Sequence, residues 1–113
     1  MNRPEEAPEI TPVELKKRLD DGEVPRLLDV REPFEQRIAD LPEVGQHRIP
    51  TSDILARLDE MDPAEELVVY CRSGGRSAWA ARILLDRGFQ NVLNLKGGVL
   101  GWREDVDPSL DSY

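Results

Sequence analysis

Cys71-Arg72-Ser73-Gly74-Gly75-Arg76-Ser77 places a nucleophile, flanking cations, hydroxyls and a glycine pair in one uninterrupted run. Cysteine reacts as its thiolate, and a reference pKa of roughly 8.5 falls beside arginines or at a helix N-terminus. Arg72 and Arg76 supply the positive charge. Gly74 and Gly75 allow the backbone to fold into a cup of N–H groups. The hydroxyls of Ser73 and Ser77 are further donors, and Ser77 is equally suited to capping a helix. Such a loop is built to hold a thiolate, or a larger anion attached to it. The alternative is a buried structural cysteine, since free cysteine is among the most buried residue types. A polar, glycine-bearing run does not cover a core position, and this favours the functional reading.

The flanking elements suit that chemistry. Leu67-Val68-Val69-Tyr70 reads as an unbroken apolar strand ending at Cys71. Beyond the loop, Trp79, Ala80, Ile83 and Leu84 recur at helical spacing, and Gly88 stands where the helix should end. A strand–loop–helix of this kind leaves the cysteine at the C-terminal end of its strand, where sites gather in parallel sheets. The unpartnered first amides of the helix then face it and favour an anion.

Elsewhere, Thr11-Pro12-Val13-Glu14 forms a capping box with proline at the first helical position, followed by the stripe Val13, Leu15 and Leu19. Arg26 to Arg31 reads as a strand, Pro33 to Ala39 as a short helix, and Gly45 to Pro50 as a strand edge. A further helix is expected from Ser52-Asp53, with Ile54, Leu55, Leu58 and Met61 on one side, stopped by Asp62-Pro63. Val92 to Leu95 is the last strand, and Lys96-Gly97-Gly98 turns into a short helix carrying Leu100 and Trp102. Strands alternate with helices and no hairpin signal joins any two. The expectation is an α/β fold with parallel pairing and helices on both faces. Residues 1–8 read as a loose leader and 9–113 as one domain.

Composition bounds the rest. A chain of 113 residues with 39% hydrophobic and 34% charged residues can bury one core. No apolar run approaches the ~20 residues of a membrane span. The polar stretch Met1 to Ile10 lacks the apolar centre of a secretory signal. A cytoplasmic protein is expected. The net charge of −8 argues against nucleic acid as a partner. An acidic surface with only three lysines is compatible with a salt-rich cytoplasm or with codon bias. One cysteine and one histidine exclude an internal disulfide and a Cys/His zinc cluster. His47 reads as a partly exposed surface residue with no role. Trp79 and Trp102 read as core or pocket wall, and the acidic run Glu104 to Asp107 as solvated surface able to steer a basic partner.

Asp29, Arg31 and Glu32 close the strand from Arg26, on the same sheet face as Cys71 if the strands are parallel. An Asp29–Arg76 pair is expected, because a guanidinium suits bidentate anchoring and would orient the loop. Arg72 is then left to face the pocket mouth.

The loop from Cys71 to Ser77 resembles the active-site loop of the rhodanese superfamily. Leu27 to Glu35 resembles that family's early signature, and Lys96-Gly97-Gly98 with Trp102 its closing one. The resemblance covers roughly Glu9 to the C-terminus. It implies a three-layer sandwich with a mainly parallel sheet of about five strands. It also implies sulfur transfer through a Cys71 persulfide, with Arg72, Ser73, Gly74, Gly75, Arg76 and Ser77 around the substrate and Asp29 and Arg31 supporting. Four residues separate Cys71 from Arg76; family sulfurtransferases have this spacing, and related phosphatases have one more. His47 does not match the family's histidine. Ile38-Ala39-Asp40-Leu41-Pro42 and the ending Val106 to Tyr113 are similar to rhodanese domains fused to adenylyltransferases of molybdopterin and tRNA-thiolation pathways. That likeness implies a ubiquitin-like sulfur carrier as acceptor, and thiosulfate or a cysteine desulfurase persulfide as donor. No metal or organic cofactor is implied. The competing reading is a docking or redox-sensing domain, distinguished by the absence of sustained turnover.

Overall fold

The computed structural model describes residues 6–23 and 25–113. Its strands are β1 (Glu9–Ile10), β2 (Arg26–Asp29), β3 (His47–Arg48), β4 (Glu66–Tyr70) and β5 (Asn91–Leu95). The α-helices are α1 (Pro12–Asp20), α2 (Gly75–Asp86) and α3 (Gly98–Asp105). All strand pairs are parallel, in the order β1-β5-β4-β2-β3, so β4 lies at the centre. Its register sets Leu27 beside Val68 and Leu28 beside Val69. No described helix is long and apolar enough to cross a membrane.

The two-residue period of β4 divides the core. Leu67, Val69 and Cys71 join Leu28, Ile54, Ala80, Ala81 and Leu84 on the face covered by α2. Val68 and Tyr70 join Leu15, Leu27, Leu95, Val99 and Trp102 on the face covered by α1 and α3. This is the expected α/β sandwich. Cys71, the next residue in the alternation, therefore turns toward α2.

Thr11 starts α1 as expected. Its hydroxyl accepts from the Glu14 amide at 3.1 Å, and Glu14 Oε1 accepts from the Thr11 amide at 2.9 Å. Val13 does not share the apolar stripe, being 59% exposed, whereas Leu15 is fully buried. The helices expected after Pro33 and Ser52 are tighter 3-10 turns, Pro33–Arg37, Thr51–Ala56 and Leu58–Glu60. The last two lack a side-chain cap, and Leu55 faces solvent while Ile54 is buried. Arg57, at φ −122°, breaks the segment between the two turns, so the i→i+4 bonds of an α-helix do not run through it.

Of the leader expected over residues 1–8, only residues 6–8 are described. Residues 1–5 lie outside the described residues, but Ala7 is buried and the Pro8 carbonyl accepts from the Asn94 amide at 2.9 Å. The sheet, by accepting β1 alongside β5, ties this end of the leader down.

Candidate active site

The loop after β4 closes around its sulfur. Gly74 at φ 111° caps α2, a left-handed conformation that suits glycine. The amide of Gly74 donates to Cys71 Sγ at 3.1 Å, that of Ser77 at 3.4 Å, and the Ser77 hydroxyl at 3.3 Å. Burial raises the thiol's pKa. The Ser77 hydroxyl and the amides of Ser77, Gly74 and Ser73 more than offset it, leaving the thiol below its ordinary value. A sulfur anion fits this cup.

The second glycine pair supports the loop from below. Val99 and Leu100, in the first turn of α3, donate to the carbonyls of Cys71 and Arg72 at 2.9 and 3.0 Å. A Cβ on Gly98 would stand 2.5 Å from the Cys71 carbonyl oxygen, so only glycine permits this approach. Gly75 differs: a Cβ there meets nothing within 4 Å. That position borders open space.

Arg76 does not pair with Asp29. It donates to both carboxylate oxygens of Glu35, each at 2.8 Å. Asp29 is already occupied, by Arg31 Nε at 2.8 Å and Nη2 at 3.0 Å and by Arg48 Nη1 at 2.7 Å. The Glu35 carboxyl is held down to about 2, chiefly by Arg76, with help from the Glu32 amide and the Tyr113 hydroxyl against the cost of burial. Sequence reasoning missed Glu35. The available signal was its place three residues after Glu32, behind a helix-opening proline, where its carboxylate accepts from the Glu32 amide at 2.9 Å.

Arg31 is fully buried. It also donates to Asp40 Oδ1 at 2.8 Å, to the Ala39 carbonyl at 2.8 Å and to the Tyr113 hydroxyl at 2.9 Å. Burial opposes its charge, but these partners, Asp29 first, raise its pKa overall. Arg48 bridges Asp29, Asp40 and Glu43, and the Tyr70 hydroxyl donates to Asp40. No buried side-chain nitrogen or oxygen among the described residues lacks a partner. Asp29 and Arg31 thus reach the loop only indirectly. The Tyr113 hydroxyl accepts from Arg31 and donates to Glu35 at 3.0 Å, and Glu35 holds Arg76.

Tyr113 also meets Arg72. Its ring centroid lies 5.3 Å from the guanidinium carbon, and Arg72 Nε donates to its main-chain oxygen. Arg72 is exposed. Trp102 is buried in the core, while Trp79, 39% exposed, borders a hollow with Thr51, Ser52 and Arg76. Ser73 is exposed, and its amide helps to lower the pKa of the Cys71 thiol. His47, part-buried on the edge strand β3, has its pKa lowered by burial and by nearby Arg26.

The rhodanese-like domain model matches residues 11–105. A sulfurtransferase of Allochromatium vinosum is 38% identical over 94 residues, 83% of this chain and 86% of that protein. The adenylyltransferase and sulfurtransferase MOCS3-2 of Zea mays is 38% identical over 96% of this chain, which spans only 23% of the maize protein. The human single-domain sulfurtransferase TSTD1 superposes with a TM-score of 0.73 at 28% identity, covering 88% of this chain and 97% of that one. The match to the family model takes in β2, the cysteine cup between β4 and α2, and the glycine turn beneath it, and with it this chain belongs to the rhodanese-like domain family.

Proposed function

We propose that the chain transfers sulfur through a persulfide on Cys71. The observation that carries this is the cup: three donors converge on Sγ at 3.1–3.4 Å, at the N-terminus of α2. The Cys71 thiolate attacks the outer sulfur of thiosulfate, or of a persulfide on a cysteine desulfurase. The S–S bond of the donor breaks, and sulfite or the donor thiolate leaves with the electron pair. The product, Cys71-S-S⁻, carries its charge on the outer sulfur, held by the amides of Ser73, Gly74 and Ser77. A nucleophilic acceptor then takes that sulfur and restores the thiolate. Cyanide serves as a small acceptor. With a ubiquitin-like sulfur carrier in the cytoplasm, the physiological acceptor we assign, the polarity is reversed: the outer sulfur attacks the carrier's adenylylated C-terminal carboxyl and AMP leaves. Two equivalents of a thiol reductant then cleave the acyl disulfide to the thiocarboxylate and the Cys71 thiol, a reading supported by the likeness to the maize adenylyltransferase and sulfurtransferase.

Sustained thiocyanate formation from thiosulfate and cyanide is expected, and it should vanish in Cys71→Ala. A single peroxide oxidation with no turnover would favour the sensor instead.

Arg72 and Arg76 have different tasks in this scheme. Arg76 is pinned to Glu35, whereas Arg72 lies at the mouth against Tyr113. Arg72→Ala should raise KM for thiosulfate roughly 10-fold, with kcat nearly kept, and flatten the salt dependence of kcat/KM. Equal loss in kcat with KM unchanged would remove Arg72 from donor capture.

A further inference from the structure

The Ser77 hydroxyl has one proton and three acceptors within reach. Asn94 Oδ1 lies at 2.6 Å, the Gly74 carbonyl at 3.2 Å and Cys71 Sγ at 3.3 Å. The orientation of the Asn94 amide is fixed by its other end, where Nδ2 donates to the Gly74 carbonyl at 3.3 Å. A flipped amide would set two acceptors face to face there. Gly74 needs no help from Ser77, because its carbonyl also accepts from the Ala78 amide at 3.0 Å. The contest for the proton is therefore between Asn94 and the sulfur.

Neither contestant can withdraw. Asn94 is 4% exposed on β5, its register fixed beside Val69 on one side and Glu9 on the other. Cys71 is 1% exposed. Arg76 from α2 interacts electrostatically with the sulfur, the Arg72 guanidinium turns to Tyr113, and β5 presents the neutral Asn94. A hydrogen bond to an anion is about twice as strong as one between neutral groups. The hydroxyl should hence follow the charge state of Sγ.

We propose that Asn94 is a positioning residue acting through Ser77. The hydroxyl turns to Cys71 Sγ while that sulfur is anionic, and returns to Asn94 Oδ1 when Sγ is protonated or bonded to a transferred sulfur. Asn94 thereby keeps the donor close without locking it onto the thiolate. The idea rests on Cys71 being the sulfur carrier only for the loaded state; the competition for the proton exists in the free protein.

The test is a pH titration of the Cys71 thiolate by its ultraviolet absorbance, in wild type, Ser77→Ala, Asn94→Val and the double variant. Ser77→Ala should raise the midpoint by about one pH unit. Asn94→Val, which keeps a strand-forming volume, should lower it by roughly half a pH unit, because the proton is left to the sulfur. The double variant should titrate like Ser77→Ala alone. Asn94→Ala removes the same acceptor and must give the same sign if the valine variant folds poorly. A midpoint that Asn94→Val leaves unchanged or raises would overturn the proposal, as would a downward shift that persists without Ser77. No sulfur donor enters this titration, so a wild type that takes no sulfur from thiosulfate would sink the proposed function and leave this result standing.

Discussion

Asp29→Ala is expected to lower folding stability by about 3–5 kcal/mol, the largest loss from any single side chain outside the apolar core. Asp29 is 4% exposed and accepts from two arginines, one of them fully buried. Removing the carboxylate leaves Arg31 with Asp40 as its one remaining acidic partner, in a place water does not reach. The uncompensated charge, not the lost pair as such, produces the effect. Asp29→Asn keeps the shape and some hydrogen bonds, so its loss should be roughly half as large. Urea unfolding of the two variants checks this. A loss below about 1 kcal/mol for the alanine variant would mean that water or Asp40 takes over the neutralisation.

The second large effect is acid sensitivity through Glu35. Its folded-state pKa, about 2, lies below the ordinary 4.5. A depressed carboxylate stabilises the fold fully above its unfolded value and loses that contribution as pH falls through the folded one. The window is thus about pH 4.5 down to 2. The contribution is on the order of 2–3 kcal/mol, reduced from the full shift because the Arg76 side chain across from it is 37% exposed. Glu35→Gln should therefore be less stable than wild type at neutral pH, and the two should converge near pH 2. Because Arg76 loses its anchor, kcat/KM should fall in the same variant at neutral pH, where the fold persists. Parallel pH–stability curves for the two proteins would contradict this assignment.

What the sequence disclosed, and what it hid, follow from how far each signal reaches along the chain. The loop was legible because its signals are adjacent: an apolar strand, a cysteine, a glycine turn and a helical period. The parallel sheet followed from the absence of hairpin turns. The partner of Arg76 was hidden because nothing local marks a pairing across 41 residues, and Asp29 offered the same carboxylate chemistry. Asn94 read as one more strand residue, although its side chain touches Ser77 and Gly74. Tyr113 was legible only as the end of the C-terminal resemblance, with no contact assigned, yet its hydroxyl bridges Arg31 and Glu35. The 3-10 turns after Pro50 misread as a helix because Ile54, Leu58 and Met61 satisfy the helical spacing, while the missing caps are a property of the folded backbone.

The central claim is that Cys71 carries sulfur, and intact-protein mass spectrometry tests it most directly. Incubation with thiosulfate should add one sulfur, about 32 Da, to the wild type, and cyanide should remove it. Cys71→Ala should gain nothing. A wild type that never gains the mass, or an alanine variant that does, would contradict the account.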